Sequence, residues 1–251
     1  MKSERAQMQE EEYAFPYHYL PNRVGSSLSN VRFLRWGWEY ACYLHHMGAA
    51  VDDLNPGSHL DVGCGDGRLF HVTQSTDRRR AGTDFSLRSL DYARAFNPDV
   101  EFHTDLASFG DETFDVVTAV EVLEHIPDDG VDDFLKSLVQ RLKPGGHLLI
   151  SVPSTAIPLH PKHYRHYDGA LLGNQVAGAC PELELVQYDH IYRRSRLIDL
   201  FTRLTLNRFI VLDLAPLRHL LWSYVWRRLR SGGVGHGRHL LGHFQRPAST
   251  T

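Results

Sequence analysis

The sequence predicts an α/β domain built on a parallel, doubly wound sheet. Three observations carry that expectation. From residue 59 onward, short apolar runs alternate with segments of helical spacing. The first of these runs ends in a glycine turn, LDVGCGDG. The composition, 42% hydrophobic and 23% charged over 251 residues, is that of one ordinary globular core with embellishments. Strand, helix, strand at this rhythm requires right-handed crossovers.

Residues 1–54 read as a polar tail followed by helical segments rich in aromatics, Tyr17 and Tyr19 among them, and so as a cap rather than a sheet. Residues 55–251 form the main domain. HLDV is a buried strand, and RLFHVTQS after the glycine turn has helical spacing. RRAGTDF is a second strand, and Ser86 is placed to cap the helix LRSLDYARAF. VEFHTD, FDVVTAV and HLLISVP are three more strands, the last two separated by the helix VDDFLKSLVQRL and a turn at KPGG. ELELVQYDHIYR alternates like an edge strand, and GRHLLGHFQRP reads as the final strand. Between them lies a helical insertion, 194–230. Ser195 caps RLIDLFTRL, with Leu197, Leu200, Phe201 and Leu204 on one face; after Pro216, Leu217, Leu220, Leu221, Tyr224 and Val225 recur at helical spacing.

The formal charge of -3 hides an asymmetry, because residues 193–246 hold eleven arginines against Asp199 and Asp213. That basic, aromatic third suits either an anionic partner or lipid surface, or a solvated arginine face on a packed helix pair. Cys42, Cys64 and Cys180 are odd in number and far apart, which argues against a disulfide framework and a cysteine zinc site and for a reducing, cytoplasmic setting. The polar, acidic N-terminus predicts no signal peptide, and no apolar run of about 18 residues predicts a membrane span.

Open α/β sheets bind ligands at the carboxyl ends of their strands, where a glycine turn lets backbone approach. Gly63, Gly65 and Gly67 are spaced GxGxG, whereas a dinucleotide fingerprint wants its third glycine where Arg68 stands, so an NAD site is disfavoured. Asp84, 21 residues after Gly63, stands where a carboxylate accepts from both ribose hydroxyls, or else is a turn residue. Asp105 ends the third strand, suited to an exocyclic adenine amine, and Asp61 precedes the turn, suited to a positively charged amino acid portion. Three carboxylates without a phosphate-binding lysine describe a cationic nucleoside, not a polyphosphate.

LDVGCGDG, the strand ends at Asp84 and Asp105, FDVVTAVEVLEHIPD and LKPGGHLLISVP, in this order, resemble class I S-adenosylmethionine-dependent methyltransferases. EVLEH is more narrowly similar to the small-molecule branch that includes the ubiquinone-biosynthesis O-methyltransferases. The resemblance covers residues 57 to about 168. It implies a Rossmann-like sheet of seven strands with the last antiparallel, and an enzyme that converts S-adenosylmethionine to S-adenosylhomocysteine. It assigns cofactor contacts to Asp61, Gly63, Cys64, Gly65, Asp84, Phe85, Asp105, Leu106 and Glu121. Methylation of a nucleic acid base is disfavoured, since AVEVLEH stands where such enzymes carry an Asn/Asp-Pro-Pro-aromatic motif.

Methyl transfer from a sulfonium is an in-line displacement that gains most from alignment and exclusion of water, and a hydroxyl acceptor also needs a base or a metal. His125 follows the fourth strand, and HPKHYRHYD follows the fifth on the same carboxyl edge. His163 or His166 is the expected acceptor-side base, Lys162 and Arg165 the anchors of an anionic or polyhydroxylated group, and Tyr164 and Tyr167 walls, with Tyr17 and Tyr19 from the cap. No metal site is expected, because neither strand nor helix geometry brings His160, His163 and His166 together; a divalent ion, used by some quinone-type relatives, is the lesser alternative. The expected substrate is a small molecule methylated at oxygen. The competing readings are a lipid-like or prenylated acceptor at a membrane surface, a non-catalytic partner protein that binds the cofactor, and transfer of another group.

Overall fold

The computed structural model describes residues 22–24, 27–29, 37–74, 77–205, 212 and 214–248. Its main sheet has seven strands in the order β5-β4-β3-β6-β7-β9-β8, with β3 Ser58–Val62, β4 Arg79–Thr83, β5 Glu101–His103, β6 Phe114–Val120, β7 Leu142–Pro153, β8 Glu184–Arg193 and β9 Gly237–Gln245. β3 to β7 are parallel, and β9 enters antiparallel between β7 and β8. The seven-stranded sheet with its reversed last strand is therefore as expected.

Side chains alternate across β7, as the two-residue period of a strand requires. Leu148, Ile150 and Val152 face a core completed by helices α4 (Val131–Val139) and α5 (Gly169–Ala179), through Leu135, Leu138, Leu172 and Val176. Leu149 faces the opposite core, with Trp38, Met47 and Val51 of α1 (Gly37–Asp53) and Leu221 and Trp222 of α7 (Ala215–Tyr224). The described part of the N-terminal cap thus shares a core with the sheet. A third cluster seats α2 (Arg68–Val72) and α3 (Leu87–Phe96) through Phe70, Leu90, Ala93 and Phe102. Ser86 does cap α3, its Oγ accepting from the Ser89 amide at 3.3 Å.

Four details differ from the sequence reading. A short antiparallel hairpin, β1 (Asn22–Val24) with β2 (Ser27–Ser29), lies in the segment read as helical. KPGG continues as the start of β7, its irregular backbone absorbed by a register shift against β6. Helix α5 was not anticipated: GALLGNQVAGA has little amphipathic contrast, yet Asp168 caps it by accepting from the Leu171 amide at 2.8 Å. Helix α6 (Arg196–Thr205) forms as expected but is turned. It buries Ile198, Thr202 and Thr205 and leaves Leu197, Leu200 and Leu204 more than half exposed. No described helix is long and apolar enough to cross a membrane.

Candidate functional site

The parallel strands deliver their carboxyl ends to one edge. After β3 the chain turns through Gly63, Gly65 and Gly67, all with positive φ, and the Gly63 and Cys64 amides both donate to the Thr83 carbonyl, at 2.7 and 2.8 Å. Gly63 is required twice over: its φ is 76°, and a Cβ there would lie 2.4 Å from Val122. Asp84 braces this turn. One carboxylate oxygen accepts from the Gly65 amide at 3.0 Å, the other from the Ser86 amide at 2.9 Å and the Ser89 hydroxyl at 3.0 Å. Burial raises its pKa despite these bonds. Asp61 is buried beneath the turn and accepts from the Thr118 hydroxyl at 2.6 Å; burial pushes it up to about 7, against the pull of that hydrogen bond, with Asp84 adding to the rise. Cys64 is buried beside them, whereas Phe85 stands on the exposed rim. Asp105 caps the turn Leu106–Phe109 by accepting from the Ser108 amide at 3.0 Å, which holds its carboxyl below the usual range.

The two segments singled out after the fourth and fifth parallel strands meet on this edge. The Tyr164 amide donates to the Glu124 carbonyl at 2.8 Å, and His125 Nδ1 donates to the Lys162 carbonyl at 3.3 Å. Carbonyl oxygens only accept, so this bond fixes the tautomer of a neutral His125 and makes Nε2, 3.7 Å from Glu124 Oε1, its acceptor nitrogen. The same logic runs through the loop. His166 Nδ1 donates to the Ile157 carbonyl at 3.1 Å, its Nε2 accepts from His163 Nδ1 at 2.8 Å, and Nε2 is then the acceptor nitrogen of His163. Burial, with His125, His166 and His160 around it, lowers His163 to about 3, so it is neutral and a weak base.

Glu124, His125 and His163 each bring one ligand atom within 4.8 Å of the others. This group is not the trio His160, His163 and His166 considered from the sequence: Glu124 and His125, from the segment after β6, join His163 of the loop. Glu124 is almost wholly buried, its Oε2 lacks a hydrogen-bond partner among the described residues, and burial next to Glu121 raises its pKa well above the carboxylate range. A buried carboxylate with one unpartnered oxygen beside two imidazoles is a donor set of the kind that fits a divalent cation.

Other members of the expected acceptor set are placed differently. The Arg165 guanidinium is committed to Asp128 at 2.9 Å, the Ile126 carbonyl at 2.8 Å, the Tyr167 hydroxyl at 3.2 Å and the Leu123 carbonyl at 3.3 Å, so it locks the loop to the end of β6. Tyr167 is fully buried in the core and cannot serve as a wall of an open site. His166 is also buried, whereas Tyr164 is exposed and Lys162 half-buried. Tyr17 and Tyr19 lie outside the described residues.

A methyltransferase domain family model matches residues 38–209. The chain belongs to this methyltransferase domain family. Among curated relatives, the ubiquinone biosynthesis O-methyltransferase of Neisseria meningitidis serogroup C is 36% identical over 127 residues, covering 45% of this chain and 50% of that protein. That of Alkalilimnicola ehrlichii is 32% identical over 129 residues, covering 48% and 50%. The chain spans about half the length of these relatives. Among solved structures, the N-methyltransferase NodS from Bradyrhizobium japonicum WM9, in complex with S-adenosyl-L-homocysteine, aligns with a TM-score of 0.60 at 16% identity, covering 98% of this chain and all of that one. The [4+2]-cyclase SpnF also reaches 0.60, at 17% identity over 98% and 97% of the two chains. These two likenesses show the fold.

In this methyltransferase domain the sequence reading missed one charged network. Glu121, left in the positive-φ region at 55°, accepts from the Ser151 hydroxyl at 2.7 Å and from His239 at 3.0 Å. His239 also donates to Glu39 at 3.0 Å, and Arg238 Nε to the same Glu39 oxygen at 2.8 Å. Glu121, expected to touch the cofactor, is thus tied to β7 and β9. No local motif marks Glu39 or His239; the pairing of His239 with Pro153 across β9 and β7 brings them to the edge.

Proposed function

We propose that the chain transfers a methyl group from S-adenosylmethionine to an oxygen of a small-molecule acceptor. The observation that carries this reading is the meeting of the glycine turn, braced by Asp84, with the Glu124, His125 and His163 cluster on a single carboxyl edge. Asp61 and Asp105 supply carboxylates for a cationic nucleoside. That the N. meningitidis and A. ehrlichii relatives are named O-methyltransferases favours oxygen as the acceptor atom.

In this reading the turn places the sulfonium at the edge, and the loop 160–168 closes over the acceptor and excludes water. His163, lowered to about 3, is better suited to hold a cation through Nε2 than to take a proton. Glu124, His125 and His163 would hold a divalent cation, which when bound acidifies an acceptor hydroxyl. His166 orients His163.

The test is S-adenosylhomocysteine formation with a panel of hydroxylated acceptors, with and without chelator. His163→Ala should lose transfer while binding S-adenosylhomocysteine normally. Full activity in His163→Ala and in chelator together would remove the cluster from the mechanism.

The turned helix α6 favours a second reading, a lipid-like or prenylated acceptor met at a membrane surface. Its outward Leu197, Leu200 and Leu204 are flanked by Arg194 and Arg196, the combination that seats a helix on anionic lipid. Co-sedimentation with phosphatidylserine vesicles at low salt, abolished by Leu200→Glu, supports it; no co-sedimentation removes it.

A further inference from the structure

A buried polar row runs beneath the glycine turn on β3 and β6. Side chains paired in register on neighbouring strands share a face, so Asp61 lies beside Thr118, and His59, two residues earlier on β3, points the same way. The surroundings of His59 are apolar: it pairs with Val116 and packs its ring 5.2 Å from that of Phe70 on α2. His59 and Thr118 are wholly buried and Asp61 nearly so. Polar side chains in such a core cost stability unless their polar atoms are used.

The hydrogen bonds of the row run in one direction. The Thr118 hydroxyl has a single proton to give. Asp61 Oδ1 lies 2.6 Å from it and the Leu60 carbonyl 3.4 Å, so the proton goes to the carboxylate and the hydroxyl oxygen is left to accept. His59 Nε2, 2.9 Å from that oxygen, is then the donor. Burial, with the charges of Arg78 and Arg80, lowers His59 to about 3, so the ring is neutral and its one proton is on Nε2. Its Nδ1 is buried without a hydrogen-bond partner among the described residues. The ring thus makes one polar contact, a donation that reaches Asp61 through Thr118. Thr118 is in turn the only side chain among the described residues that donates to Asp61, and it engages Oδ1.

We propose that His59 is a positioning residue for the cofactor: acting through Thr118, it holds one oxygen of Asp61 against the sheet and reserves the other for the ammonium of the cofactor's amino acid portion. The assignment rests on the adenosylmethionine reading and not on which acceptor atom is methylated. A carboxylate fixed beforehand loses less on binding than one that the ligand must order. Donors lined up toward the carboxylate also favour its charged form, the form that an ammonium needs.

The test is calorimetric titration of the full chain with two probes, S-adenosylhomocysteine and 5′-methylthioadenosine, which keeps the thioether nucleoside but lacks the amino acid portion. Thr118→Val, nearly equal in shape, should weaken S-adenosylhomocysteine by about three- to tenfold and His59→Leu by about two- to fivefold, the range of one hydrogen bond, while methylthioadenosine binds as before. His59→Gln, whose side-chain amide can donate from near the place of Nε2, should restore the affinity. The double variant His59→Leu with Thr118→Val should bind no more weakly than Thr118→Val alone, because His59 has no route to Asp61 without the hydroxyl. Losses shared equally by the two probes, additive losses in the double variant, or wild-type affinity for S-adenosylhomocysteine in His59→Leu overturns the assignment. Methylthioadenosine binding reports that each variant is folded, and His59→Met is the second apolar variant should His59→Leu fail to fold. A wild type that binds neither probe brings down the adenosylmethionine reading and the proposal together, whereas a wild type that binds both, matched by its variants, removes the role of His59 alone.

Discussion

His239 stands between Glu121 and Glu39, with Nδ1 3.0 Å from one carboxylate and Nε2 3.0 Å from the other. Carboxylates accept, so both ring nitrogens donate and the ring is an imidazolium. Burial alone would lower its pKa; Glu121 and Glu39 outweigh burial and raise it to about 10. The cation makes it tolerable to bury two carboxylates side by side.

His239→Gln should therefore cost about 3 to 5 kcal/mol, because a charge is removed and its partners stay. For a chain of this size that corresponds to a fall in Tm of roughly 10 °C. The pH dependence follows from the sign of the shift. A histidine whose folded pKa lies above its unfolded value contributes fully below about 6.5, and the contribution is lost as pH climbs through about 10. Thermal melts from pH 6 to pH 10 should show that decline in the wild type and a flatter profile in His239→Gln; parallel profiles would refute the imidazolium.

Asp61 predicts a proton released on cofactor binding. Its pKa, pushed up to about 7 by burial, leaves the carboxyl largely protonated in the free protein at pH 6. In the free protein this raised value stabilises below about pH 4, and the benefit is lost as pH rises toward 7. A ligand ammonium nearby favours the carboxylate and expels the proton. Calorimetric titration of S-adenosylhomocysteine at pH 6 in buffers of different ionisation enthalpy should reveal the release, and Asp61→Asn should abolish it.

Gly63→Ala combines two separable penalties. A left-handed backbone costs a non-glycine residue about 1 to 2 kcal/mol, and the new Cβ would lie 2.4 Å from Val122. The double variant Gly63→Ala with Val122→Ala should recover the steric part and not the backbone part. Denaturant melts measure both; an additive, non-compensating pair would rule out the contact as the cause.

His166 should act through His163. With its Nδ1 held by Ile157 and its Nε2 by His163, it fixes which nitrogen His163 presents. His166→Ala should weaken binding of Mn²⁺ by about 10 to 100-fold, the usual cost of losing such an orienting partner, with Glu124→Gln weakening it further. Paramagnetic titration of Mn²⁺ reads this directly, and unchanged affinity in both variants would remove the cluster as a cation site.

The sheet was readable because β3, β6 and β7 are buried on both faces and so appear as continuous apolar runs punctuated by glycine. The Asp61, Asp84 and Asp105 strand ends were readable for the same reason, their place following from the strands. Three things were not. Helix α5 is nearly as apolar on one side as the other, so periodicity gave no signal. Helix α6 carries a strong leucine face, and pattern assigns such a face to the core; the threonine side was buried instead, over a charged cavity. Glu39 and His239 are 200 positions apart and meet only through the order of strands in the sheet.

The reversed direction of β9 also sets a schedule for synthesis. β8 is made before β9 yet pairs with no other strand of the main sheet, so until residues 237–245 leave the ribosome β7 presents an open edge and β8 has nowhere to dock. A nascent chain stalled before that point leaves the backbone of β7 at residues 147–153 unpaired along an uncapped border, the kind of edge that aggregates or recruits a chaperone. Insertion of one late strand then seals the border, seats β8 and delivers His239 to two waiting carboxylates.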